Sequence, residues 1–141
     1  MPSSEKGAPL NQSYAVAVFI ITSQGIPLIR DPKKPPPVFW KAPGGRSNPG
    51  EGAEAAVLRE AKEEIGIRLH EKDLSLVYEE DKGSHILALF VARLESLPRL
   101  KHQGDEGEEI KVFSPKEILA LHDFFPNHRR VFEKILEDLT K

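Results

Sequence analysis

Eight consecutive residues, Tyr14-Ala-Val-Ala-Val-Phe-Ile-Ile21, carry no charge and no helical spacing, and they constrain the fold more than any other stretch. β-Branched and aromatic side chains in such a run favour a strand, and neither of its faces can be left to water. A strand of that kind belongs in the middle of a sheet with a layer packed on each side. The run is far too short to span a bilayer. Turn chemistry follows in Ser23-Gln24-Gly25, so Ile26-Pro27-Leu28-Ile29-Arg30 reads as the second arm of a hairpin, with Pro27 at an edge or a strand start.

The rest of the chain supplies the flanking layers. Residues 38–41 read as a short strand broken by Ala42-Pro43-Gly44-Gly45, and Asn48-Pro49-Gly50-Glu51 suits a type II turn. Residues 52–65 have helical composition and stop at Gly66, a suitable left-handed terminus. Residues 74–80 and 85–94 predict a second hairpin around Asp81-Lys82-Gly83-Ser84, and residues 110–113 a short strand. Ser114-Pro115-Lys116-Glu117 is a capped helix start. A last amphipathic helix opens near Pro126-Asn127 and aligns Val131, Ile135, Leu136 and Leu139. The expected class is α/β: a mixed sheet in α/β/α layers, one domain over residues 13–141 after a flexible arm over residues 1–12.

Composition narrows the chemistry. The absence of cysteine excludes disulfides, thiolate catalysis and cysteine-based zinc or iron–sulfur sites. Twenty Lys+Arg against twenty-two Asp+Glu give a net charge of −2, so no global positive field draws the chain to nucleic acid or a membrane. The first residues lack the basic start and apolar stretch of a signal peptide, and a cytoplasmic location is the expectation.

The chemistry-bearing segment is residues 45–67, GRSNPGEGAEAAVLREAKEEIGI. Glu60, Glu63 and Glu64 stand at i, i+3 and i+4, which gathers three carboxylates on one helix face. Like charges so crowded call for a neutralising partner, and a hard divalent cation such as Mg²⁺ or Mn²⁺ suits oxygen ligands. Leu58, Ala61 and Ile65 form a separate apolar stripe, while Ala53, Ala56 and Val57 flank the acidic face, which is therefore expected to look into a cleft. Arg59 is able to reach back to Glu51 and pin the turn to the helix. Lys41 and Arg46 bracket the glycines and are available to pair with phosphate. Phe39 and Trp40 precede them, where a base would stack.

The segment resembles the signature of the Nudix hydrolases in Gly45, Glu51, Arg59-Glu60, Glu63-Glu64, Gly66 and Ile67, with Ala61 in a slot that usually holds a bulkier aliphatic residue. A chance match to its fixed positions is on the order of 10⁻⁹ per window. The resemblance implies a Nudix fold and hydrolysis of a diphosphate linkage in a small nucleoside diphosphate derivative. It implies metal ligation by Glu60, Glu63, Glu64 and the Gly44 carbonyl, with Glu60 also helping to activate water. Glu51 and Arg59 orient the site. A further acidic residue from an outside loop is expected in such enzymes, and residues 104–109 offer Asp105, Glu106, Glu108 and Glu109. Glu108 and Glu109, nearest the following strand, are the best anchored. Asn127, at the start of the last helix, matches a position that meets the base in some nucleotide-cleansing members. Cleansing of (d)NTPs or modified nucleotides is the leading expectation. Hydrolysis of a nucleotide sugar or dinucleoside polyphosphate, a non-catalytic nucleotide sensor, and a homodimer all stay open.

Overall fold

The computed structural model describes residues 12–104 and 107–139, with side chains as far as Glu137. The expected arm lies outside the described residues apart from Gln12, as do Asp105 and Glu106 of the acidic loop.

Strand β1 (Tyr14–Ile21) is central in a four-stranded sheet. Strand β3 (Gly44–Arg46) lies antiparallel on one side of it, and β5 (Ile86–Arg93) lies parallel on the other. β4 (Leu74–Asp81) pairs antiparallel with β5 and forms the outer edge, as the second hairpin required. Each face of β1 feeds a separate core. Val16, Val18 and Ile20 pack with Ala56, Val57, Ala61 and Ile65 of helix α1 (Ala53–Ile65). Ala17 and Phe19 pack with Val131, Phe132 and Ile135 of helix α3 (Pro126–Leu139) and with Ile118 of helix α2 (Pro115–Ala120). The structure is therefore an α/β/α sandwich around a mixed sheet.

Two local expectations are corrected. Thr22 and Gly25 exchange backbone hydrogen bonds at 3.2 Å and close a tight turn, but strand β2 (Ile26–Arg30) does not continue as a hairpin with β1. β5 takes one edge of β1 along its whole length, β3 and the Pro43 carbonyl take the other from Ala15 to Val18, and β2 pairs with β6 (Glu109–Phe113) in a small second sheet. Residues 38–41 form no strand either. They make only isolated bridges, Lys41 to Ile29 and Trp40 to Phe124, because Pro43 lacks a donor and the Ala42 N–H is taken by His128. Ala56 and Val57, expected beside the acidic face, are fully buried beneath the helix.

Helix termini follow the sequence closely. Gly66 adopts φ 79° and turns its N–H back onto α1, and Ser114 with Glu117 forms a reciprocal capping box on α2. Gly50, at φ 80°, completes the turn in which the Glu51 N–H reaches the Asn48 carbonyl at 2.9 Å.

Candidate active site

Two adjacent glycines let strand β3 fit closely against β1 on one side and helix α1 on the other. At Gly44 a β-carbon would stand 1.9 Å from the Val16 carbonyl oxygen, so the pairing with β1 itself forbids a side chain. At Gly45 it would stand 2.1 Å from Glu60 Oε2. Glycine here makes room for a carboxylate rather than for a turn.

Arg59 is the hub of the loop ahead of the helix. Its Nε and Nη2 donate to the two oxygens of Glu51 at 2.9 Å each, Nη2 also reaches the Arg46 carbonyl at 3.0 Å, and Nη1 meets Glu63 at 3.0 Å. Glu60 Oε2 lies 3.5 Å from Nη1. Glu51 in turn accepts from the Asn48 N–H. The paired guanidinium holds the Glu51 carboxyl below the usual range, and Glu51 in return raises Arg59. The bidentate pair is half-buried and locks residues 46–51 against α1.

A cleft of about 240 Å³ opens beside this hub. Gly44, Gly45, Glu60 and Glu64 line it from the loop and helix, Ile29, Asp31, Lys34 and Lys41 from β2 and the segment after it, and Glu108 from just before β6. Burial raises the Glu60 carboxyl, and Arg59 offsets part of that rise. Burial also pushes Glu64 up to about 7, although the Gly44 N–H donates to it at 2.7 Å and Lys41 pulls the other way; Glu60 and Glu108 add repulsion.

Of the residues expected from sequence, Glu60, Glu64, Gly44, Lys41 and Glu108 meet in the cleft. Glu63 is exposed and turned onto Arg59. Glu109 accepts from Arg30 Nε at 2.9 Å, outside the cleft lining. Trp40 is only 7% exposed, with the Arg30 guanidinium 4.4 Å above its ring and Phe113 at its edge, so it is core rather than a stacking platform. Arg46 is exposed, beyond the cleft lining. Asn127 lines a different cavity, with Tyr78, Glu80, Lys82, Leu87 and Arg130, which shares no residue with the cleft.

Sequence reasoning passed over two residues. Lys34, within a proline-rich segment that reads as a surface connection, is in the cleft. His128 is buried and accepts the Ala42 N–H at 3.3 Å, and burial holds it neutral with a pKa of about 4. It props the segment that delivers Gly44, and its spacing to Val131, Phe132 and Ile135 was the available signal.

The donor set fits a hard divalent cation: Glu60 and Glu64 are desolvated, mutually repelling carboxylates beside the cleft, with charge in want of a partner. Among the described residues no three His, Asp or Glu groups converge as a finished cage. The reason is visible in the hub, since Arg59 occupies Glu63 and the Gly44 N–H occupies Glu64.

Comparison with known proteins agrees with this architecture. Residues 11–135 match the NUDIX domain. The human protein named 8-oxo-dGDP phosphatase NUDT18 is 37% identical over 98 residues, which is 65% of this chain but only 30% of the relative's length. A Bacillus subtilis relative with a provisional 8-oxo-dGTP diphosphatase name is 32% identical over 120 residues, 83% of this chain and 76% of its own. The solved structure of a MutT studied from Aliivibrio salmonicida and Vibrio cholerae superposes with a TM-score of 0.73 at 24% identity, covering 90% of this chain and 98% of that one. The chain therefore belongs to the Nudix family, hydrolases that act on phosphoanhydride bonds of nucleoside-diphosphate-type compounds.

Proposed function

We propose that this chain is a divalent-metal-dependent pyrophosphohydrolase that removes 8-oxoguanine nucleotides, cleaving 8-oxo-dGTP or 8-oxo-dGDP to the monophosphate. The observation that carries the reading is the cleft in which Glu60 and Glu64 lie together with Lys34 and Lys41. Such a site accommodates a polyanion at the lysines and a cation at the carboxylates. The names of the two curated relatives support the choice of base.

The family typically uses divalent metal ions. Here Glu60 and Glu64 would hold one, with Glu63 once it leaves Arg59 and with the Gly44 carbonyl. When bound, the ion shields the phosphate oxygens and lowers the pKa of the attacking water. Water adds to one phosphorus while the bridging P–O bond breaks, so a triphosphate yields monophosphate and pyrophosphate, and a diphosphate yields monophosphate and phosphate. The proton passes to a cleft carboxylate outside that ligand set, Glu108. Lys41 and Lys34 position the phosphates, and the Glu51–Arg59 pair keeps the loop in place.

The test is a product-mass assay on 8-oxo-dGTP, 8-oxo-dGDP and their unmodified counterparts with Mg²⁺, run beside Glu64→Gln. Monophosphate release from the oxidised nucleotides is expected, with kcat at least about a hundredfold lower in the variant, about 3 kcal/mol of barrier. Equal turnover of every nucleotide would overturn the substrate, and a variant of normal rate would overturn the site.

A further inference from the structure

The segment after β2, Asp31-Pro-Lys-Lys-Pro-Pro-Pro37, gives the cleft two of its lining residues, Asp31 and Lys34. Four of the six residues from Pro32 to Pro37 are prolines, which carry no N–H, so Lys33 and Lys34 hold the only backbone donors of that stretch. Both are spent on Asp31. The Lys33 N–H donates to Asp31 Oδ1 at 3.0 Å, and the Lys34 N–H donates to the Asp31 carbonyl at 3.2 Å. Aspartate followed by proline favours such a turn, since the carboxylate mimics a backbone acceptor and proline pre-sets φ at the second position. The turn sends its two lysines apart. Lys33 reaches the acidic loop, where a β-carbon on Gly107 would meet its Nζ at 3.3 Å, whereas Lys34 lines the cleft. Arg30 is committed to Glu109 and Asp123, and Arg59 to Glu51 and Glu63, and the cations lining the cleft are Lys34 and Lys41. These two are held differently. Lys41 exchanges both backbone hydrogen bonds with Ile29, at 2.9 and 3.0 Å, while the Lys34 N–H is tied to Asp31.

We propose that Asp31 is a positioning residue: through the turn it forms with Pro32 it presents Lys34 to the phosphate chain of the substrate, and its carboxylate neither holds metal nor moves the proton. The role rests on the hydrolase reading above and is exercised entirely through Lys34. A carboxylate lining a cleft beside Glu60, Glu64 and Glu108 would ordinarily be counted with them. Here one of its oxygens and its carbonyl are engaged by its own turn. Losing that turn leaves the lysine in place but gives its backbone more conformations to search, a cost that falls on binding.

The test uses the whole chain with Mg²⁺, and thermal melts verify the folding of each variant. Asp31→Ala and Lys34→Ala are each expected to raise KM for the nucleotide about tenfold with kcat nearly unchanged. Asp31→Asn, which keeps the acceptor oxygen without the charge, should bring KM back to within about threefold of wild type. Lys33→Ala, which removes a cation from the same turn, should stay within about twofold. In the double variant, Asp31→Ala adds nothing to Lys34→Ala. The series is also read by calorimetric binding of methylene diphosphonate, an uncleavable diphosphate, and the same order of affinities is expected. Three results would each overturn the positioning role even in an active enzyme: Asp31→Asn as impaired as Asp31→Ala, a double variant weaker than Lys34→Ala, or diphosphonate binding that is absent or indifferent to both alanine variants. The expected order of affinities in a protein that turns over no nucleotide would leave the positioning role standing and overturn the hydrolase reading instead.

Discussion

Two titratable groups, Glu64 half-buried and His128 buried, pull the stability of this protein in opposite directions. Glu64 binds its proton more tightly folded than unfolded, so its contribution is full below about pH 4.5 and is lost as pH rises through about 7. His128 does the reverse: its contribution is present above about pH 6.5 and is lost as pH falls through about 4. In EDTA the two offset each other on acidification. Glu64→Gln removes one of them, so the variant should melt higher than wild type at pH 8, by on the order of 2 kcal/mol of stability, and should lose that advantage by pH 4.5. Parallel melting curves across pH would show that Glu64 is ordinarily solvated. A second pair of neighbours separates by partner. Glu108 lies in the cleft and adds to the repulsion on Glu64, whereas Glu109 is spent on Arg30. Steady-state rates of Glu108→Gln are therefore expected to fall at least tenfold with an altered pH profile, and those of Glu109→Gln to stay near normal.

At the scale of elements, β3 meets β1 at Gly44 and α1 at Gly45, and the two glycines obey different constraints. Gly44→Ala collides with the backbone of β1 and is expected to abolish folding, read as loss of a cooperative melt. Gly45→Ala collides only with the end of the flexible Glu60 side chain, so it should fold yet lose most of its kcat. If both melt and turn over alike, the close approach of β3 is not what places Glu60. Much of this was legible in the sequence because it is local: the Asn48–Glu51 turn, the span of α1 with its Gly66 terminus, the capping box at Ser114 and the Glu51–Arg59 pair all lie within a few turns of chain. The misread elements depend on distant residues. Nothing near Ile26 says that its partner is β6, more than 80 residues on, and nothing near Trp40 says that Arg30 and Phe113 enclose it. Lys34 was hidden for the same reason, since a proline-rich connection shows what it borders only once Gly44 and Glu60 are beside it.

For the molecule as a whole, ligand binding should be visible as stability. No helix among the described residues is long and apolar enough to cross a membrane. Saturating Mg²⁺ or Mn²⁺ is expected to raise Tm and EDTA to return it, since an ion held by Glu60 and Glu64 has no equal site in the unfolded chain. A melt indifferent to both, with activity equally indifferent, would mean the carboxylates serve only as a solvated face. The sheet order carries a consequence of another kind, for the nascent chain. β1 is made first, yet its parallel partner β5 is completed only about 70 residues later, and β2 waits still longer for β6. At ribosomal rates of about 5–20 residues per second, the most apolar strand of the protein stays unpaired along one edge for roughly 4–14 s. Only the hairpin of β4 and β5 closes promptly. Synthesis thus passes through a stage in which this strand is open to chaperones and to neighbouring chains, a demand set by topology alone and untouched by the chemistry of the cleft.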